Sequence, residues 1–299
     1  MAGSDTLAFT PGATTIKLSR HQTATAFLGS AQAALEQHEA ANNLMLSIAL
    51  RLKEHPDRIK TSPYLATVED DGALVAAAFM TPPQRVGIYS ESAGPAVDPM
   101  PLRLIADDLI AGDWRAPGTI GSAEVSCAFA EVWAAAARGS FRLVRHMRIY
   151  ELRQVTAPTG VPGILRVATE VDLDLVARWN YAFHKDAGLE GTVEEARESA
   201  ERWIDDRNAF LWDDGQPVSM AVKTRHTTHG MTVSGVYTPP EFRRQGYAGA
   251  CVAALSQQML DAGWEFCTLF TDLANPTSNS VYQKIGYRPV CDFDEYVFE

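Results

Sequence analysis

The order of predicted strands and helices constrains this 299-residue chain most, because the same series occurs twice. In the second half, a short strand and a helix precede a strand hairpin, a further β-rich run and another helix. The hairpin turns on Asp213-Asp214-Gly215-Gln216-Pro217, and the β-rich run ends at Pro239-Pro240, which cannot donate to a ladder. The first half follows the same order with Asp70-Asp71-Gly72 at its hairpin turn. The repetition predicts a duplicated α/β fold with mixed sheets.

A segment without charge separates the two halves. Residues 156–163 alternate Pro and Gly, and the apolar periodicity of the neighbouring segments stops there. We therefore predict one domain over residues 1–157 and a second over residues 164–299. The length agrees, since a domain averages about 150 residues.

Charge and composition narrow the function classes. The net charge of −11 disfavours nucleic acids and anionic membranes as partners, because their phosphates need an excess of Lys and Arg. The four cysteines are scattered without a Cys-x-x-Cys pair, which indicates neither a metal site nor a disulfide framework. The longest apolar run, residues 73–80, is too short to cross a bilayer, and the N-terminus lacks a signal-peptide core. We expect a soluble, cytoplasmic protein.

A basic stretch with a glycine follows the proline pair. Arg243-Arg244-Gln245-Gly246-Tyr247-Ala248 begins an amphipathic helix whose apolar stripe runs to Met259. A helix N-terminus carries unpaired N–H groups and partial positive charge, and Gly246 allows close approach of the backbone to a phosphate. The stretch predicts a pyrophosphate site, although by itself it is more typical of a basic turn before an ordinary amphipathic helix.

A second motif starts at Asn275-Pro276, where Asn is a favourable N-cap and Pro a favourable first helical residue. Ser278, Tyr282 and Ile285 then recur at three- and four-residue steps, so they share one face of the helix. We predict that Tyr282 is partly buried.

Together these motifs resemble the GNAT (Gcn5-related N-acetyltransferase) superfamily over residues 164–299. The resemblance is closest to its FR47-like branch, in which a Thr-Pro-Pro-Glu stretch, here 238–241, precedes the basic glycine loop. The first half is then a degenerate GNAT-like copy. The matching segments are strand 233–238, loop 243–248, strand 268–271 and the pattern Asn275, Ser278, Val281, Tyr282, Gly286, Tyr287.

The resemblance implies that acetyl-CoA is a co-substrate inserted between two splayed parallel strands, with no metal. Its pantetheine would bond the backbone of Val236 and Thr238, and its pyrophosphate would lie on residues 244–248. The expected binding residues are Val236, Tyr237, Thr238, Arg243, Arg244, Gln245, Gly246, Tyr247, Ala248, Asn275, Ser278 and Tyr282.

The implied activity is transfer of an acetyl group to a primary amine of a small molecule or peptide. A backbone N–H near Val236 would hold the oxyanion, and Tyr282 would be the general acid that protonates the thiolate. A core tyrosine without a catalytic role is the alternative. The helix after the first strand of this half carries candidate acceptor contacts, namely Trp179, Tyr181, His184 and Asp186. The base stays open among Glu241, Asp272, His226, His229 and Glu299.

The first half lacks this chemistry. Its counterpart of the basic loop, residues 92–99, has no basic residue and two prolines, and Trp133 falls where Tyr282 does. We predict that this half is non-catalytic and shapes the substrate cleft or a homodimer contact. An unrelated α+β domain is the alternative.

Two other functions remain open from the sequence. A non-catalytic acyl-CoA-binding module would keep the loop without needing Tyr282. A tandem aminoacyl transferase acting on aminoacyl-tRNA would need a basic groove, which the negative charge disfavours.

Overall fold

The computed structural model describes residues 16–56, 61–92 and 97–299. Within these ranges each half of the chain contributes six strands and four helices. The first half contains β1 (Lys17–Arg20), α1 (Ala24–Glu36), α2 (Asn43–Glu54), β2 (Tyr64–Asp70), β3 (Ala73–Met80), β4 (Val86–Ser90), α3 (Pro99–Ala111), β5 (Gly118–Ser122), α4 (Ala123–Ala137) and β6 (Phe141–Leu152). The second half contains β7 (Ile164–Val167), α5 (Leu173–Asp186), α6 (Val193–Asp205), β8 (Ala209–Asp213), β9 (Pro217–His226), β10 (Gly230–Tyr237), α7 (Tyr247–Asp261), β11 (Phe266–Asp272), α8 (Pro276–Lys284) and β12 (Arg288–Phe298).

All twelve strands join in one mixed sheet, in the order β1-β2-β3-β4-β5-β12-β6-β11-β10-β9-β8-β7. Parallel pairing occurs at β4–β5 and at β10–β11, which hold equivalent places in the two halves. From one edge the sheet runs β1 to β5 and then β12, and from the other edge it runs β7 to β11 and then β6, so the two halves have equivalent strand orders. The helices also occur at equivalent places along the two halves of the chain. The predicted duplication of an α/β arrangement is confirmed.

The two halves exchange their last strands. β6 of the first half pairs with β11, and β12 of the second half pairs with β5. Phe298 of β12 stacks on Trp133 in the first half, with ring centroids 5.0 Å apart, while Tyr150 of β6 is buried in the core under α7. Each half therefore needs the other to complete its sheet, and the division into domains over residues 1–157 and 164–299 stays a prediction.

Helices cover both faces of the sheet, and alternate strand residues face them. In β8, Phe210 and Trp212 pack in the core with α7, whereas Ala209 and Leu211 pack in the core with α5 and α6. This alternation is the period of two that a strand imposes. In the first half, α3 and α4 pack in one core and α1 and α2 in another.

Candidate functional site

The parallel strands β10 and β11 separate part-way along their length. They pair with each other from Gly230 with Phe266 to Thr232 with Thr268. β10 then continues to Tyr237 and β11 to Asp272 without pairing with each other again. The segments beyond Thr232 and Thr268 therefore leave a gap in the ladder, where backbone groups of the two strands do not bond each other. We call this gap the strand cleft.

A β-bulge bends β10 along the strand cleft. Pairing with β9 shifts register between Ser234 and Tyr237, and Gly235 adopts a φ of +57° there. Residues that lie in a bulge lack one-to-one partners in the ladder, which re-aims their backbone groups. Val236, the expected oxyanion donor, lies in this irregular stretch.

Hydrogen bonds fix the end of β10. The Ser219 hydroxyl donates to the carbonyl of Tyr237 at 3.1 Å and lies 2.8 Å from the Thr238 hydroxyl. The Thr238 carbonyl accepts from Arg243 Nε at 2.9 Å. Thr238 can therefore offer a pantetheine its N–H and the second lone pair of its carbonyl.

The loop before α7 turns through left-handed backbone conformations. Arg244 has a φ of +65° and Gly246 a φ of +88°. A Cβ at Gly246 would lie 2.9 Å from Val161 Cγ2, so glycine meets both a conformational and a steric need there. Tyr247 anchors the start of the helix, since its hydroxyl donates to Asp214 at 2.8 Å.

The N-terminus of α7 is uncapped. Gly246 supplies no side-chain cap, and the backbone N–H groups of residues 244–249 find no acceptor within the described residues. Arg244 and Gln245 are exposed beside them, and Arg244 makes no ion pair with the described residues. An exposed row of free N–H groups at the positive end of a helix dipole binds anions.

Arg243 is placed differently from Arg244. Its Nη2 donates to Asp186 at 2.6 Å, and its guanidinium lies 5.8 Å from the ring centre of Tyr237. Arg243 thereby ties the loop to the end of α5 and of β10, whereas Arg244 has no ion-pair partner among the described residues.

The second motif has the predicted local structure. The Asn275 side chain caps α8 by accepting from the Ser278 N–H at 3.1 Å, with Pro276 in the first turn. Tyr282 is buried, with 8% of its surface exposed, in the core that also holds Cys251 and Tyr287. No described residue hydrogen-bonds the Tyr282 hydroxyl. Burial, with a smaller contribution from Cys251, raises the pKa of Tyr282, so the hydroxyl is protonated at neutral pH.

Three of the candidate bases contact side chains of the first half. Glu299 packs against the first half, because β12 pairs with β5 and the backbone of Glu299 bonds to that of Ser140. The three pairs are Glu54–His226 at 3.1 Å, Glu39–His229 at 2.7 Å and Arg142–Glu299 at 2.7 Å. Glu241 and Asp272 are exposed, and Asp272 accepts from the Ala274 N–H at 2.7 Å.

The candidate acceptor contacts on α5 divide into core and surface residues. Trp179 is buried against Tyr237, and Asp186 is bound to Arg243. Tyr181 is half-buried. His184 is half-buried as well, its Nδ1 has no partner among the described residues, and burial lowers its pKa despite the opposing charge of Glu195.

The equivalent region of the first half is built differently. Asp98 caps α3 by accepting from the Met100 N–H at 2.9 Å, so a carboxylate already occupies the helix N-terminus. The loop before it includes residues 93–96, which lie outside the described residues. An added Cβ at Gly121 would lie 2.7 Å from the Ile88 carbonyl, so β4 and β5 remain close one step beyond their last pair.

Sequence reasoning missed Arg225 on β9. It forms a ladder pair with Thr232, at the point where the strand cleft opens, and its guanidinium lies 6.0 Å from the ring centre of Phe270 on β11. One arginine at the end of a predicted hairpin strand carries no signal of this position, because the position depends on how β9, β10 and β11 assemble.

Comparison with solved structures assigns the fold. An acetyltransferase of the GNAT family from Colwellia psychrerythraea aligns over 95% of this chain and 99% of its own, with a TM-score of 0.58 and 11% identity. A GCN5-related N-acetyltransferase from Sphaerobacter thermophilus aligns over 94% of both chains, with a TM-score of 0.61 and 14% identity. A tandem GNAT protein from the clavulanic acid biosynthesis pathway aligns over 95% of this chain and 98% of its own, with a TM-score of 0.58 and 13% identity.

The chain therefore has a tandem GNAT fold, as predicted. Residues 214–297 match the family described as FR47-like protein, which confirms the resemblance to that branch in the second half. No curated protein matches the sequence. In the described ranges, no helix has the length and apolar character to cross a membrane, and no cluster of three His, Cys, Asp or Glu side chains is suited to a metal ion.

Proposed function

We propose that this protein is an acetyl-CoA-dependent N-acetyltransferase that acts on a primary amine. The observation that carries the proposal is the N-terminus of α7, which has no side-chain cap and which residues 238–246 connect to β10, the strand that borders the strand cleft. Acetyl-CoA is an extended molecule that carries phosphate groups at one end and a thioester at the other. The phosphates would occupy the anion site at α7, and the thioester would lie in the gap between the strands. Small-molecule or peptide amines are the proposed acceptors, with neither nucleic acid nor membrane as a partner.

The pyrophosphate of acetyl-CoA would rest on the N–H groups of residues 244–248. Those groups have no acceptor within the described chain, so binding satisfies them without breaking an existing contact. Arg244 would add a charge-assisted hydrogen bond, while Arg243 stays committed to Asp186 and Thr238.

The reaction we propose is direct attack in a ternary complex. The amine nitrogen bonds to the thioester carbonyl carbon, the Val236 N–H stabilises the oxyanion, and the C–S bond breaks as Tyr282 donates a proton to sulfur. The amine loses its proton to solvent or to a base that stays unassigned. Burial raises the pKa of Tyr282, so its hydroxyl holds the proton to be donated at neutral pH.

The cysteines of the second half favour direct attack over an acyl-enzyme. Burial raises the pKa of Cys251 and of Cys267 to about 12 each and is the main cause that raises the pKa of Cys291 to about 11, so all three are protonated at neutral pH. A thiol, unlike a thiolate, is a weak nucleophile.

The test combines acetyl-CoA binding, measured by calorimetry, with thiol release in the presence of amines, amino acids and peptides. We expect binding of acetyl-CoA and thiol release that depends on an amine. Thiol release with no member of a broad panel would favour the non-catalytic binding module, and absence of acetyl-CoA binding would contradict both functions.

A further inference from the structure

Arg225 occupies the closed end of the strand cleft. Its ladder partner Thr232 hydrogen-bonds Thr268 through their hydroxyls at 3.0 Å, and this is the last pair before β10 and β11 separate. Phe270, beside the Arg225 guanidinium, is the second residue of β11 beyond that pair. The Arg225 side chain therefore reaches from β9 across β10 to the rim of the cleft.

The side chain lies on the face of the sheet opposite to α7. Directly paired residues on neighbouring strands share a face, and residues along a strand alternate between faces. Val233 and Leu269, the sequence neighbours of Thr232 and Thr268, pack in the core with α7. Arg225 is thus separated by the sheet from the helix whose N-terminus would hold the pyrophosphate.

Helix α2 of the first half covers this face. Leu44 packs in the small core that includes Phe270, and Arg51 is close enough to Arg225 to act on its charge. The first half therefore forms part of the cleft wall around Arg225, which agrees with the expectation that it shapes the substrate cleft.

No carboxylate among the described residues pairs with Arg225. Its Nε is shielded from solvent without a hydrogen-bond partner, whereas the two terminal nitrogens are not shielded in this way. Burial, together with repulsion from Arg51, lowers the pKa of Arg225 to about 10, so the guanidinium is still charged at neutral pH. A partly buried cation beside a second cation destabilises the folded state and is typical of functional sites.

We infer that Arg225 binds a carboxylate of the amine acceptor, which makes the substrate an amino acid, a peptide with a free C-terminus or another amino carboxylate. The inference rests on the proposed function for the identity of the reacting amine. The two terminal nitrogens of a guanidinium match the two oxygens of a carboxylate, and the bound anion would supply the opposite charge that no described residue supplies to Arg225. The acceptor then approaches from the face opposite to α7.

The experiment compares amino carboxylates with their carboxamides as acceptors, in wild-type protein and in Arg225→Met. Glycine, 4-aminobutyrate, 6-aminohexanoate, a set of amino acids and dipeptides each have a matched amide. We expect the best acid to exceed its amide in kcat/KM by roughly tenfold or more, because the neutral amide lacks the negative charge and the second acceptor oxygen that a guanidinium binds. Arg225→Met should remove that preference by raising KM, without changing the Kd of acetyl-CoA.

A binding measurement separates this inference from the proposed function. The N-acetyl derivatives of the same acids and amides serve as probes in thermal denaturation with CoA present. Acids that raise Tm in wild type but not in Arg225→Met support the carboxylate site even if no amine is acetylated. Equal shifts for acids and amides, or equal shifts in both proteins, overturn it while leaving acetyl-CoA binding unaffected.

A stability control tests for a purely structural role. Arg148 bonds Asp292 through Nε at 2.6 Å and Nη2 at 3.1 Å, so Arg148→Met breaks an ion pair and should lower Tm. Arg225→Met removes a cation that has no ion-pair partner among the described residues, so it should leave Tm unchanged or raise it. A loss of Tm in Arg225→Met as large as that in Arg148→Met would overturn the assignment, and Arg225→Lys should keep part of the preference for acids.

Discussion

The same helix begins in two different ways in the two halves of this molecule. α7 starts at Gly246 without a side-chain cap, and its first N–H groups have no acceptor within the described residues. α3 starts at Asp98, whose carboxylate accepts from the Met100 N–H and adds a negative charge at the helix N-terminus. Two prolines, Pro99 and Pro101, remove further donors from the first turn.

The difference shows how two copies of the same strand and helix arrangement can keep or lose an anion site without a change of fold. A helix N-terminus has to be satisfied by a side chain, water or a ligand. In the first half the protein supplies its own carboxylate, and in the second half the place is left open. A similar contrast separates Trp133, which stacks on Phe298, from Tyr282, whose hydroxyl has no partner among the described residues.

The largest expected effect is that of Tyr282→Phe on turnover. Loss of a general acid typically lowers the rate by about 100-fold to 10,000-fold, so we expect kcat to fall in this range while the Kd of acetyl-CoA changes less than about twofold. Steady-state kinetics of thiol release and calorimetry give both quantities.

Tyr287→Phe is the matched control, because Tyr287 is buried in the same core and its hydroxyl lies 2.9 Å from that of Ser256. Loss of that hydrogen bond should lower the free energy of unfolding by about 1 kcal/mol and leave kcat intact. If Tyr282→Phe retained full kcat on a good acceptor, the assignment of Tyr282 as the general acid would be wrong.

The next largest effect comes from giving α7 the cap that α3 has. Gly246→Asp places a carboxylate at the helix start, where it competes with phosphate and repels it. Charges at helix ends contribute up to about 2 kcal/mol, so the Kd of acetyl-CoA should rise about 30-fold beyond the rise in the control.

The control is Gly246→Ala, which adds the same Cβ against Val161 and the same strain at φ +88° without a charge. Calorimetric titration of both variants with acetyl-CoA separates the steric from the electrostatic part. Equal Kd values for the two variants would argue that the helix N-terminus does not hold the phosphates.

Asp98→Ala tests the first half and should have a smaller effect. Removing an N-cap costs about 1 kcal/mol of folding free energy, so the unfolding midpoint in urea should fall. Acetyl-CoA binding should be unchanged in affinity, because this helix start is not a phosphate site. A changed Kd in Asp98→Ala would show that the first half takes part in cofactor binding.

The smallest expected effect is a pH dependence of the contact between the halves. The hydrogen bond that the His229 side chain donates to Glu39 is the main cause that raises the pKa of His229 above 6.5. For Glu39, burial opposes ionisation, but hydrogen bonds from Thr227 and His229 outweigh it and lower its pKa below 4.5. The pair therefore stabilises the folded protein fully between pH 4.5 and pH 6.5, the ordinary pKa values of Glu39 and His229.

The stabilisation by His229 is lost as pH rises through its raised folded pKa, and that by Glu39 is lost as pH falls through its lowered folded pKa. The Tm difference between wild type and His229→Gln should be largest near about pH 5.5 and should shrink towards about pH 9. A difference that grows with pH would contradict the assignment.

Local sequence signals predicted most elements of the fold and the candidate cofactor site. Turn residues located the hairpins, and Asn275-Pro276 located the start of α8, whose cap the structure contains. The basic glycine loop was located by its position between a β-rich run and a helix. One local signal was overlooked, since Thr192 and Glu195 form a capping box that starts α6.

Long-range pairing could not be predicted in this way. The sequences of β6 and β12 are typical of strands, but neither sequence indicates that β6 pairs with β11 of the second half or that β12 pairs with β5 of the first half. The position of Arg225 depends on that assembly as well, because α2 of the first half lies over it. Residues that act across two halves of a chain are visible only once the register of the sheet is known.

The most direct test of the central claim is the stoichiometry of acetyl-CoA binding to the full-length chain, measured by calorimetry. The full chain is required because each half contributes the last strand of the other's sheet. We predict one acetyl-CoA per chain, with binding weakened in Gly246→Asp and unchanged in Asp98→Ala. Two molecules per chain, or binding that weakens in Asp98→Ala and not in Gly246→Asp, would contradict the assignment of the cofactor site to the second half.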